Sequence, residues 1–318
     1  MLIHRSRWLV CTATVALIAT FVIGCGNSSN SLTDISESTS SLATIDTASA
    51  ATSAVATTVA PVPNPQMVNL VDSSRPVVSN GQTISKTRAL PTTVWRPSRA
   101  GVFPLVVFAH GYRLGPPGYA RFCAALAEGG YIVAAPSFPL ADESRGNGLN
   151  RDDIPNEALD VAFVIAALRS GTIGPQIAPG PVGVAGHSDG ADVALIVGYQ
   201  QGYADSAVGS VVAVAPDAFT GKLATNRPSL LLVHADSDAT VPYSESVQVF
   251  ANVPGNRTFL TLIGADHLPP IAGNTVWTSV LDGAVLTFFN ATLKNVQTLS
   301  SAQALIGTLG HSKMQVGS

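Results

Sequence analysis

The sequence predicts an α/β fold: a mostly parallel central sheet, helices on both faces and no large cap domain. Three observations predict it. Short continuous apolar runs at 104–109, 131–135 and 181–185 have the length and composition of strands buried on both faces. Helix-period stretches at 119–128, 152–169 and 189–201 alternate with those runs. Finally, Gly186-His187-Ser188-Asp189-Gly190 lies between one such run and the helix after it. A tight strand-to-helix turn there would push the serine hydroxyl out of the sheet, with glycines where a Cβ would clash.

The 318 residues are 46% hydrophobic and 12% charged, which suits one globular domain plus extra segments. The net charge is −3, and no basic block occurs beyond the extreme N-terminus, so nucleic acid is not an expected partner. Two of the three cysteines fall in the first 25 residues. Cys123 is then alone in the main domain, with no disulfide framework, and is expected as a small core residue of a helix.

In chain order, His4, Arg5 and Arg7 precede an apolar run at 8–23 that is short for a membrane span. The run ends in Val22-Ile23-Gly24-Cys25, which resembles the bacterial lipobox. The resemblance implies a signal peptide over 1–24 and lipid modification of Cys25. It also implies a cell-envelope protein anchored to a membrane by acyl chains, or a secreted one if the box is not used. Residues 25–66 are rich in Ser, Thr, Ala and later Pro. They cannot bury enough surface to offset their ordering entropy and are expected to form a tether.

The catalytic domain is expected over 67–295. Residues 68–96 alternate and break at Ser79-Asn80-Gly81, predicting one or two antiparallel edge strands. Gly129-Gly130 ends the helix at 119–128. Further strands are expected at 211–215, 230–234 and 258–263, and a closing helix at 276–289. In the tail, 296–318, the expectation is a short helix over 302–309.

An activated serine needs a base, and the base needs an orienting acid. In a sheet of this kind they follow the serine in the order acid, then histidine. His267, just after the last parallel strand, is the candidate base. His311 lies in the tail, and His234 precedes the acid. Asp238 is the favoured acid, because it stands four residues before Pro242 and so resembles the D-x-x-V-P turn that follows this strand in many hydrolases of this kind. Asp236 and Asp217 remain alternatives. The backbone N–H groups of Tyr112 and Asp189 are candidates for the oxyanion hole. His110 and His187 are expected to support these elements. No metal cluster, phosphate loop or dinucleotide fingerprint occurs, so no cofactor is expected.

These residues resemble the α/β-hydrolase superfamily. Within it the chain is similar to the branch of dienelactone-hydrolase-like, chlorophyllase-like, cutinase-like polyesterase and platelet-activating-factor acetylhydrolase proteins. The resemblance rests on residues 105–112, 126–136 and 186–190 and on the Asp238 and His267 loops. It implies an α/β-hydrolase fold and a serine esterase or lipase acting on an ester, lipid or polymeric. A monomer is expected. Polyesterases commonly carry Met where this chain has Asp189, which weakens the polyester case. Serine in place of a cysteine nucleophile argues against true dienelactone hydrolysis. An amidase or peptidase on the same triad, and a non-catalytic binding protein, are the alternatives. About 14 residues separate the strand ending at Ala215 from the next, too few for a cap domain, so an open cleft is expected.

Overall fold

The computed structural model describes residues 65–171, 173–217 and 219–318. The expected signal peptide, Cys25 and most of the expected tether lie outside the described residues.

The chain opens with β1 (Gln66–Asp72), the hairpin pair β2 (Val77–Ser79) and β3 (Gln82–Ser85), and β4 (Arg88–Trp95). There follow β5 (Leu105–Ala109), α1 (Ala120–Glu128), β6 (Ile132–Pro136), α2 (Ile154–Ser170), β7 (Val182–His187) and α3 (Asp189–Tyr199). The second half holds β8 (Val208–Val214), β9 (Ser229–Ala235), α4 (Tyr243–Asn252), β10 (Arg257–Leu262), α5 (Pro269–Ala272) and α6 (Val276–Thr292). It ends in α7 (Leu299–Ile306) and β11 (Ser312–Gly317).

One sheet of nine strands has the order β1-β4-β6-β5-β7-β8-β9-β10-β11. The six strands from β6 to β10 run parallel. β4 joins β6, β1 joins β4 and β11 joins β10 in antiparallel pairs. This is the α/β-hydrolase architecture, and no helix or strand stands between β8 and β9 among the described residues.

Period-two alternation divides each buried strand between two cores. Leu105, Val107 and Ala109 face the core packed by α2, α3 and α4. Val106 and Phe108 face the core packed by α1, α6 and α7. Both sides are apolar because both sides are covered, which is why the strands read as unbroken hydrophobic runs. Each such fully buried large side chain stabilises the fold by roughly 1.5–3 kcal/mol.

The tail differs from the expectation of a short helix alone. α7 covers 299–306, and β11 then adds a strand along β10, from Leu262↔Ser312 to Arg257↔Gly317. Without β11, β10 would present an unpaired row of backbone donors and acceptors. Helix α2 starts at Ile154, because Arg151–Asp153 forms a separate 3₁₀ turn. Helices α4 and α5, both opened by prolines, were not expected from the sequence.

Candidate active site

The site sits where β7 turns into α3. Ser188 has φ 56° and ψ −127°, outside the helical and extended regions open to most residues. Only a close approach of strand and helix holds it there. A Cβ on Gly186 would run into the carbonyl of Gly190, and one on Gly190 into the carbonyl of Ala109. Both glycines are therefore steric requirements of the turn. The Ser188 N–H donates to the Val214 carbonyl at 2.9 Å, tying the turn to β8.

The loop after β10 brings His267 to the same place. Ser188 and His267 line one cavity of about 320 Å³, with Gly111, Tyr112, Leu114, Tyr119, Leu268 and Pro269 among the other walls. Behind His267, its Nδ1 lies 2.7 Å from Asp238 Oδ2, and the Asp238 side chain is fully buried. The other Asp238 oxygen accepts the Thr240 and Val241 N–H groups, each at 2.8 Å. The D-x-x-V-P turn thus aims one carboxylate oxygen at the imidazole by occupying the other.

The structure separates the competing candidates. Asp236 accepts from Gly264 N–H and Asp266 from Ala239 N–H, so both staple the two loops together. Asp217 pairs with Arg151 instead of a histidine. The His311 carbonyl accepts from Ile263 N–H, in the turn before β11. Cys123 is buried in the apolar core, which pushes its thiol pKa up and leaves it inert.

Three further histidines support the site. His110 accepts from Phe138 N–H through Nε2 at 3.0 Å, and its Nδ1 meets the Gly111 carbonyl at 3.0 Å. Burial pushes its pKa down to about 4. The Tyr119 hydroxyl accepts from Gly111 N–H at 3.1 Å and reaches His187 Nδ1 at 3.0 Å. His187 Nε2 lies 3.1 Å from the His267 carbonyl. Since Gly111 N–H already donates to Tyr119, the hydroxyl proton goes to His187 Nδ1, and His187 Nε2–H donates onward. One chain of hydrogen bonds therefore links the loop after β5, the serine turn and the His267 loop. Burial, then the nearby His267, pushes the His187 pKa down to about 3, so the ring is neutral. His234 lies against Asp238 from the other side, with Nε2 at 3.3 Å from Oδ2, and burial lowers its pKa too.

Of the two oxyanion-hole candidates, Tyr112 lines the cavity and Asp189 opens α3. Tyr112 follows Gly111 at the cavity wall. Asp189 is the first residue of α3, so its N–H has no acceptor within the helix. Its side chain holds a partner that the sequence did not reveal. Arg151 grips the Asp189 carboxylate with two hydrogen bonds, at 2.9 and 2.7 Å, and reaches Asp217 at 2.9 Å. Arg151, Tyr119 and Ser246, which bonds His234 at 2.6 Å, carried no local signal. Each meets a partner that lies 12 to 68 residues away in the sequence.

A family model described as Chlorophyllase matches residues 69–249, more than half of the chain. The chain belongs to the chlorophyllase family. Membership places it among α/β-hydrolases, in a family that points to ester hydrolysis. The stretch of this chlorophyllase-family chain that is matched contains the serine turn and Asp238 and stops before His267. No curated protein matches the chain.

Proposed function

We propose that the chain is a serine hydrolase of carboxylic esters that works through an acyl-enzyme on Ser188. Ser188 Oγ attacks the ester carbonyl while His267 Nε2 takes its proton, and the oxyanion is received by the N–H groups of Tyr112 and Asp189. The C–O bond to the alcohol breaks, and His267 returns the proton to the leaving oxygen. Water, deprotonated by His267, then hydrolyses the acyl-enzyme. Asp238 holds the imidazole by its Nδ1–H and stabilises the imidazolium. The 2.7 Å contact between His267 and Asp238, behind a cavity that His267 shares with Ser188, supports this reading above all else.

Among the described residues no helix or strand stands between β8 and β9, which suits a bulky or surface-bound ester. The lipobox-like end of the apolar run at 8–23 supports anchoring at the cell envelope through Cys25.

The test is hydrolysis of p-nitrophenyl esters from acetate to palmitate by the full chain and by Ser188→Ala. A loss of roughly 10³-fold or more, with labelling of the wild type alone by a fluorophosphonate, is expected. Undiminished hydrolysis by Ser188→Ala would overturn the assignment.

A further inference from the structure

A second cavity, of about 460 Å³, lies at the other end of the parallel strands. Phe103, just before β5, and Ile132, the first residue of β6, form its floor with Val94 and Pro97. The rim carries Arg96 and Arg99. No carboxylate lines it, and no ion pair involves Arg96, Arg99 or Lys294 among the described residues. Arg96 donates only to the neutral Gln176 side chain, at 3.0 Å.

Arg99 stands apart from the other described arginines. Each of those donates to a carbonyl or carboxylate oxygen, whereas the Arg99 guanidinium lies 5.2 Å over the Phe103 ring with no oxygen partner among the described residues. A second cation crowds it. A Cβ on Gly130 would meet Arg99 Nη2 at 2.9 Å and Lys294 Nζ at 3.1 Å, so both charges converge on one point. Lys294 is half-buried, 3.9 Å over the Tyr131 ring and bonded to the Gly129 carbonyl. Burial, then Arg99, holds its pKa down to about 8. Arg96 and Arg99 at the rim, with no carboxylate among the lining residues and Val94, Phe103 and Ile132 beneath, form the complement of an anion carried on a hydrocarbon body.

We propose that this cavity binds a free single-chain anionic amphiphile, a carboxylate or monophosphate head at Arg96 and Arg99 with its alkyl chain against Phe103 and Ile132. The site is independent of the ester-hydrolase assignment. Its lining shares no residue with the cavity at Ser188.

Calorimetric titration of the full chain with octanoate, octyl phosphate, 1-octanol and inorganic phosphate tests it, with a parallel sedimentation assay on phosphatidylglycerol vesicles. The expected result is saturable binding of octanoate and octyl phosphate, with octanol and inorganic phosphate each at least tenfold weaker. Arg99→Ala, in an exposed turn whose loss spares the sheet, should weaken the two amphiphiles at least tenfold, and Arg96→Ala/Arg99→Ala should abolish their binding. Ser188→Ala should bind like the wild type. Octanol binding as tightly as octanoate, affinity indifferent to Arg99→Ala, or binding to vesicles without binding to the soluble amphiphiles would each overturn the proposal.

Discussion

Two polar regions flank Ser188, and they settle their charges in different ways. On one side stand His187, His234 and His267 around Asp238. Here hydrogen bonds account for the ring nitrogens one by one: His234 uses Ser246 and Val241, His187 uses Tyr119 and the His267 carbonyl, and His267 Nδ1 uses Asp238. His267 Nε2 is the one ring nitrogen of these three with no partner among the described residues, and it is the atom that a general base needs. On the other side, Asp153, Glu157, Asp160, Asp189, Asp192 and Asp217 gather around Arg88 and Arg151. Carboxyls outnumber guanidiniums there. Burial raises Glu157 and Asp192 well above the usual carboxylate range, which disfavours their charged forms. Geometry governs protonation on the histidine side, and desolvation disfavours charge on the carboxylate side.

Breaking the histidine side should have the largest effect. Asp238→Asn keeps the volume but offers an amide to His267 Nδ1. That favours the wrong tautomer, and kcat on p-nitrophenyl acetate should fall by roughly 10³–10⁴-fold with the fold intact by circular dichroism. A loss below tenfold would place the orienting acid elsewhere.

The carboxylate side should give a smaller and reversible effect. Arg151→Ala leaves the Asp189 carboxylate unpaired beside the N–H proposed to receive the oxyanion. An unpaired charge a few ångströms away costs about 1–3 kcal/mol, or roughly ten- to hundredfold in kcat. Asp189→Asn added to Arg151→Ala removes that charge and should recover most of the rate. If the double variant is as slow as the single one, Arg151 matters only as a strut for its loop.

The smallest effect is on stability. Both Glu157 oxygens are buried with no hydrogen-bond partner among the described residues. Its pKa is higher folded than unfolded, so its stabilising contribution is complete below about pH 4 and is lost as pH rises through the folded value. Glu157→Gln removes that dependence. Urea midpoints should show the variant gaining on the wild type from pH 5 to pH 8, by about 1–3 kcal/mol. Parallel midpoints at both pH values would mean that Glu157 is ionised in the folded protein.

Much of this was written in local patterns. The continuous apolar runs at 104–109 and 131–135 announce strands covered on both faces, and the glycines of 186–190 announce a turn too tight for side chains. The D-x-x-V-P spacing makes Asp238 the favoured acid by its likeness to a turn common in such hydrolases. These features are set by neighbours in sequence, and so the sequence alone determined them. Other features needed the folded chain. The grip of Arg151 on Asp189 spans 38 residues and the Tyr119–His187 contact spans 68. The ninth strand, Ser312–Gly317, looks like a polar tail until β10 offers it an unpaired edge. The raised pKa values of Glu157 and Asp192 depend on desolvation by elements far away in the chain. Tertiary structure alone decided these, because hydrogen-bond partners across the sheet and the loss of water exist only once distant segments have packed.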